Sequence, residues 1–379
     1  MFKKYQLRSY NFRLVILVLI STLFGTAVIY SAQPDLLLKQ CFGVVLSIAV
    51  MIFISLIDYN WVMKLYWLGY IGCIGLLLCV EIFGSSGGGA QRWLNLGFVQ
   101  IQPSELSKVI LIIFTAKLIS NYKDKLNTWK FLGVLALLLA IPMGLVLAQP
   151  SLSTTMVIGL ILLTVIYCAG LSYKIMGIVI AVSIPLVVGM MLYISNPNQI
   201  LLKDYQRNRI MTFFHPDENE AGAYQQEHSV QAIGAGQLSG KGLNNDDPSS
   251  LKNSGYIAEA QTDFIFAVVG EELGFVGCCF VILLLSAIVI ECIIAAIRAK
   301  DFAGRLVCCG VAGYIAFQSF INIGVATRIL PNTGQPLPFF SYGLTSLLTL
   351  YIAIGFVLNI GLQRNIERDD NIFADDFRG

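Results

Sequence analysis

Three acidic residues fall close together in the stretch Gln261-Thr262-Asp263-Phe264-Ile265-Phe266-Ala267-Val268-Val269-Gly270-Glu271-Glu272-Leu273-Gly274. Asp263 stands where a polar segment gives way to an apolar run. It either caps a helix by accepting backbone N–H bonds or takes a proton from a substrate as a general base. Glu271 and Glu272 lie two turns further in, where an apolar helix gains nothing from two carboxylates. Acids so spaced suit a general base, a cation site or an ion relay. Asp263 is the candidate base, and Asp263 with Glu271 are the candidate ligands for a cation.

A second set is Gly88-Gly89-Ala90-Gln91-Arg92-Trp93, followed by Gln102-Pro103-Ser104-Glu105-Leu106-Ser107-Lys108. Arg92 and Trp93 read either as anchors in a headgroup layer or as substrate contacts. Ser104 before Glu105 marks a helix start, where an acid favours the helix dipole. Glu105 and Lys108 are three apart, share a helical face, and are followed by Lys117. Charges at membrane depth are costly and face a polar interior, so all three are candidate substrate contacts. The third set is Ile329-Leu330-Pro331-Asn332-Thr333-Gly334-Gln335-Pro336-Leu337-Pro338-Phe339-Phe340-Ser341-Tyr342-Gly343. Its three prolines and two glycines exclude a regular helix. Irregular backbone at membrane depth is tolerated only against protein or a cavity. The segment therefore reads as a re-entrant wall, with Gln335 and Ser341 as candidate substrate contacts.

Two other features carry less. Gly234-Ala235-Gly236-Gln237-Leu238-Ser239-Gly240-Lys241-Gly242 resembles a phosphate loop but lacks its spacing and its Ser or Thr after the lysine. Its amides could still cradle a diphosphate, with Lys241 as a point charge. His215 and His228 lack partners at zinc-ligand spacing.

The elements that must position these residues are membrane spans. The chain of 379 residues is 56% hydrophobic and only 13% charged, where a soluble domain carries about 25% charged residues. A net charge of +2 suggests no nucleic-acid partner. A span needs about 20 apolar residues. Runs near Leu14–Tyr30, Leu37–Ile57, Val62–Phe83, Ser104–Ile119, Phe131–Ala148, Thr154–Leu171, Met176–Ile194, Phe264–Ile297, Arg305–Ala326 and Gly343–Leu362 predict an all-α integral membrane fold of about ten helices. The run Phe264–Ile297 exceeds one span, so it is tilted, broken or partly outside the bilayer.

Lys123, Lys125, Lys130, Lys174, Arg298, Lys300, Arg305, Arg364 and Arg368 fall on one side if the N-terminus is inside. Both termini are then cytoplasmic, and the polar segment from Asn196 is outside, between spans seven and eight. The expected organisation is residues 1–195 (spans one to seven), 196–262 (large extracytoplasmic loop) and 263–379 (spans eight to ten and a short tail). All nine cysteines lie in apolar runs and read as small buried hydrophobes.

Taken together, Gly-Ala-Gln-Arg-Trp, Gln-Pro-Ser-Glu-Leu-Ser-Lys, Thr-Asp-Phe-Ile-Phe-Ala-Val-Val-Gly-Glu-Glu-Leu-Gly and Leu-Pro-Asn-Thr-Gly-Gln-Pro-Leu-Pro-Phe-Phe-Ser-Tyr-Gly closely resemble the RodA/FtsW/SpoVE (SEDS) family over nearly the whole chain. Gly240–Leu243 also fits that family's outer loop. The resemblance implies a peptidoglycan glycosyltransferase of the bacterial inner membrane, active on its outer face. Its substrate would be lipid II, and its partner a class B penicillin-binding transpeptidase. It also implies a divalent cation, Mg²⁺ or Mn²⁺, and no organic cofactor. The family's catalytic aspartate matches Asp263, and its central cavity matches Arg92, Trp93, Glu105, Lys108 and Lys117. A short tail and no long N-terminal extension favour the elongation branch over the division branch.

The chain departs from the family pattern in three places. Ser151 replaces a common aspartate, Gln261 a frequent histidine, and Leu344 a usual glycine. Two other classes accommodate the same buried charges and irregular wall: a flippase for the lipid-linked sugar, and a non-catalytic scaffold for a transpeptidase. Acids gathered at one face rather than through the membrane favour the enzyme.

Overall fold

The computed structural model describes residues 10–87, 90–95, 100–149, 151–195, 207, 211–214, 220–245, 250–251 and 259–363. His215 and most of the basic residues expected at the two ends of the chain lie outside them.

Long apolar runs become helices because lipid offers the backbone no alternative partner. In chain order these are α1 (Phe12–Ala32), α2 (Leu37–Leu56), α3 (Tyr59–Lys64), α4 (Tyr66–Phe83), α5 (Pro103–Asn121), α6 (Trp129–Ala148), α7 (Leu152–Cys168), α8 (Tyr173–Ser195), α9 (Glu220–Ala235), α10 (Ile265–Arg298), α11 (Phe302–Ala326) and α12 (Leu344–Leu362). Several starts are written locally. Asn11 Oδ1 accepts from Leu14 N at 3.2 Å, Asp58 Oδ1 from Asn60 N at 3.0 Å, and Pro103 opens α5 at the position where a missing N–H does no harm. Among the described residues, seven helices are long and apolar enough to cross a membrane: α1, α2, α4, α6, α10, α11 and α12. Helix α5 has the length, but Glu105, Lys108 and Lys117 interrupt it, and α7 is shorter.

The structure departs from the expected elements in two places. The run Val62–Phe83 is not one span, because the backbone leaves the helical region at Leu65 and separates α3 from α4. The connection from α4 to α5 is not plain loop but a small antiparallel sheet of β1 (Ser85–Gly87), β2 (Ala90–Asn95) and β3 (Gln100–Ile101), in the order β1-β2-β3. Arg92 and Trp93 are on its central strand.

Helices α11 and α12 form the middle of the bundle and are buried along most of their lengths. Helix α11 packs on α10, α7 and α5, α12 packs on α2 and α5, and α1 lies on α10. The outer helices turn apolar side chains outward, among them Leu38, Phe42, Leu68, Ile82 and Leu283, as a lipid-facing surface requires. Helix α9 lies on α10 and α11.

The excess length of the Phe264–Ile297 run is resolved by a break. Gly274 adopts φ 64° and ψ −159°, a conformation that L side chains rarely enter. The backbone groups released there pair with the segment after α9. Phe275 N donates to Gln237 O (2.8 Å), Val276 N to Leu238 O (3.2 Å), Lys241 N to Glu271 O (3.0 Å) and Gly242 N to Glu272 O (2.9 Å). The approach is so close that a Cβ on Gly240, at φ +77°, would sit 2.1 Å from Glu272 O.

Candidate functional site

Asp263 lies on the turn that leads into α10. Phe264 occupies the capping position of the helix, one residue after Asp263. What fixes Asp263 is its main chain. Three consecutive carbonyls are each held by a different donor. Tyr342 N donates to Gln261 O at 2.9 Å, Ser341 Oγ to Thr262 O at 2.6 Å, and Asn322 Nδ2 to Asp263 O at 2.8 Å. The proline-rich segment is therefore a bracket for this turn as well as a wall. Ser341 Oγ itself accepts from Leu337 N at 2.7 Å, so this hydroxyl both donates to and accepts from the main chain.

Burial separates the acids. Glu105, Glu271 and Glu272 are buried, whereas Asp263 is half-buried. Glu271 Oε1 takes Lys241 Nζ at 2.9 Å and Leu251 N at 2.9 Å, and Glu272 takes the Ser31 hydroxyl. Both glutamates thus fasten the loop and α1 to the broken helix. In the glycine-rich loop the Lys241 and Gly242 amides serve the Glu271 and Glu272 carbonyls, and the Lys241 ammonium serves Glu271.

The residue types also test the implied divalent cation. Among the described residues no three His, Cys, Asp or Glu side chains gather as a metal cage. Glu271, expected as a second ligand beside Asp263, is committed to Lys241. Among the described residues, the groups around Asp263 do not form a cage for a resident ion. His228 pairs with Gln231 at 3.1 Å.

The second cluster is internal. Lys108 Nζ contacts Glu105 Oε1 at 2.6 Å and donates to Gln318 Oε1 at 2.8 Å. Tyr314 OH donates to Glu105 Oε2 at 3.4 Å, and its ring centroid is 5.0 Å from Lys108 Nζ. With Lys108 only 1% exposed, this pair braces the bundle. Gln318 Nε2 passes the brace on to Pro336 O at 2.9 Å. Lys117 is not part of it: nine residues along α5 from Lys108, it lies about 13 Å away, toward the lysine-rich end.

Gln335 is 4% exposed, and its Nε2 donates to Thr154 Oγ1 at 3.0 Å. Thr154 in turn shares a hydrogen bond of 2.7 Å with Ser151, so the hydroxyl standing where an acid was expected joins a neutral chain of groups. Arg92, partly exposed, donates from Nε to Gln149 O at 3.4 Å. The amide nitrogens of Gln149, Asn322 and Gln335 all serve protein acceptors. Their oxygens, with Ser104 Oγ, are buried and have no protein partner. Buried acceptors without donors are rare, and a set of them suits a ligand rich in hydroxyl and amide groups.

Tyr314, Gln318 and Asn322 were not singled out in the sequence. The signal was present: three polar residues at intervals of four, one face of an otherwise apolar helix.

These features define a polytopic membrane protein with one half-buried carboxylate, held by a bracket of irregular backbone among buried acceptors. Comparison with known proteins gives the class a family. The profile of the FtsW/RodA/SpoVE family, described as cell cycle protein, matches residues 6–366. The peptidoglycan glycosyltransferase MrdB of Escherichia coli (strain K12) is 36% identical over 298 residues, 78% of each chain. The probable peptidoglycan glycosyltransferase FtsW of Geobacter metallireducens is 30% identical over 94% of this chain and 96% of its own. Among solved structures, a chain of a peptidoglycan synthase complex superposes with a TM-score of 0.79 at 28% identity, covering 94% of this chain and 99% of that one. The rod shape determining protein RodA of Thermus thermophilus gives 0.69 at 27%, covering 94% and 97%. The chain belongs to the FtsW/RodA/SpoVE family.

Proposed function

We propose that this protein is a peptidoglycan glycosyltransferase that polymerises lipid II on the outer face of the membrane, for cell elongation and shape. The observation that carries the proposal is Asp263: the acid left half-buried while its neighbours are locked away, on a turn whose three carbonyls are each held. In this reading ten helices span the membrane (α1, α2, α4 to α8 and α10 to α12), both termini are cytoplasmic, and α9 with its flanking loops is extracytoplasmic.

Asp263 takes the proton from the acceptor sugar's 4-hydroxyl. The oxygen attacks the anomeric carbon of the donor as the bond to the diphosphate breaks, and undecaprenyl diphosphate leaves. An α-linked donor gives a β-linked polymer, so the reaction inverts. A positioned base contributes about 10²–10⁴-fold to rate. The buried oxygens of Gln149 and Gln335 accept from sugar hydroxyls and acetamido N–H groups. Arg92, partly exposed and always charged, supports the leaving diphosphate. Any Mg²⁺ or Mn²⁺ requirement belongs to the diphosphate rather than to a protein cage. A class B penicillin-binding transpeptidase cross-links the product.

The test is polymerisation of purified lipid II by the detergent-solubilised protein with its transpeptidase partner. Wild type makes glycan strands and Asp263→Asn makes none, at equal expression and melting temperature. Flipping of lipid II in liposomes without polymer by the wild type would move the protein to the transporter class.

A further inference from the structure

We propose that Asn322 is a positioning residue for Asp263, fixing the carboxylate's main chain against the proline-rich bracket from the middle of the bundle. The proposal rests on Asp263 acting as the base. Asn322 lies on α11, separated in the chain from both segments that it joins. Its Nδ2 donates at once to Asp263 O at 2.8 Å and to Gln335 O at 2.7 Å. An amide nitrogen carries two hydrogens, so a single side chain satisfies both carbonyls.

The anchor is rigid. Asn322 is 1% exposed, and α11 is packed against α5, α7 and α10. One turn earlier on the same face, Gln318 holds Pro336 O and takes Lys108 Nζ. The stripe therefore holds the bracket at two successive points, Pro336 and Gln335, and through Gln318 reaches the buried Glu105–Lys108 pair. Tyr342 N and Ser341 Oγ reach Gln261 and Thr262 from the bracket itself. Asn322 connects the turn to a helix outside the bracket, and the same side chain holds the bracket at Gln335, so it ties the position of the turn to that of the bracket. A shift of about 1 Å at a reacting group costs on the order of 10²-fold in rate.

The role predicts a particular kinetic pattern. Asn322→Leu keeps side-chain bulk and removes both donors; Asn322→Ser keeps one. Leu should lower kcat of lipid II polymerisation by about 10–100-fold while KM stays within about 3-fold, because the bond acts on the reacting group and not on uniform substrate binding. Ser should recover part of the loss. A merely structural role would lower melting temperature and the active fraction together and leave kcat per folded molecule unchanged. Asn322→Leu with wild-type kcat per folded molecule, or with a raised KM alone, overturns the proposal. If Asn322→Leu does not fold, Asn322→Ser carries the same test against wild type. Asp263→Asn is assayed alongside: activity there overturns the base itself, whereas an inactive Asp263→Asn beside a fully active Asn322→Leu overturns only the positioning role.

Discussion

Helix α10 meets irregular backbone twice, and the two junctions are made differently. At the Gly274 break, main chain pairs with main chain in four hydrogen bonds, and the nearby acids Glu271 and Glu272 are buried in bonds to Lys241, Leu251 and Ser31. At the Asp263 turn, two of the three carbonyls are held by side chains from distant parts of the chain, and the acid stays half-buried. The first junction buries both of its acids in bonds to the chain itself, which makes it a fastening. The second holds its main chain and keeps its carboxylate half-buried. Residue type alone does not separate the two, since each has an acid at its centre; burial and bonding do.

The comparison can be broken by substitution. The largest effect is expected away from both junctions, at the brace behind them. Glu105→Ala leaves the Lys108 ammonium buried beside Gln318 alone, and removing one partner of a buried pair costs about 3–5 kcal/mol. Thermal unfolding should register it as a large fall in melting temperature or loss of folded protein. At the fastening, Gly240→Ala combines a left-handed backbone with a contact to Glu272 O, and should cost about 1–3 kcal/mol with kcat per folded molecule unchanged. Ser341→Ala acts on the other junction: removing the donor to Thr262 O should lower the polymerisation rate by about tenfold, near 1.4 kcal/mol, with a smaller change in melting temperature. The smallest effect is Lys241→Met. Lys241 is 25% exposed and Glu271 retains the Leu251 amide, so screening leaves about 1 kcal/mol or less in stability and none in rate. A catalytic defect in Gly240→Ala or Lys241→Met would erase the distinction.

Much of this was legible in the sequence. The apolar runs placed the helices to within a few residues, because lipid admits little else. The excess length of Phe264–Ile297 foretold a break, which Gly274 makes. Asp263 could be singled out as an acid at a polar-to-apolar boundary, though not distinguished from a helix cap. The small sheet was not legible, since strands as short as Ser85–Gly87 and Gln100–Ile101 fall below any periodicity signal. The break at Leu65 lacks Gly or Pro to announce it. Partners were the largest gap. The sequence does not show that Lys108, Lys241 and Ser341 meet Gln318, Glu271 and Thr262 from other elements. Asn322 disappears in α11 unless its spacing with Gln318 and Tyr314 is noticed.

The most direct measurement sets Asp263→Asn and Glu271→Gln side by side, reading lipid II polymerisation rate and melting temperature on the same preparations. Asp263→Asn is predicted to lose polymerisation by about 10²-fold or more at an unchanged melting temperature, and Glu271→Gln to melt earlier while its folded fraction polymerises at the wild-type rate. An active Asp263→Asn, or a Glu271→Gln that folds normally and is inactive, would contradict the account.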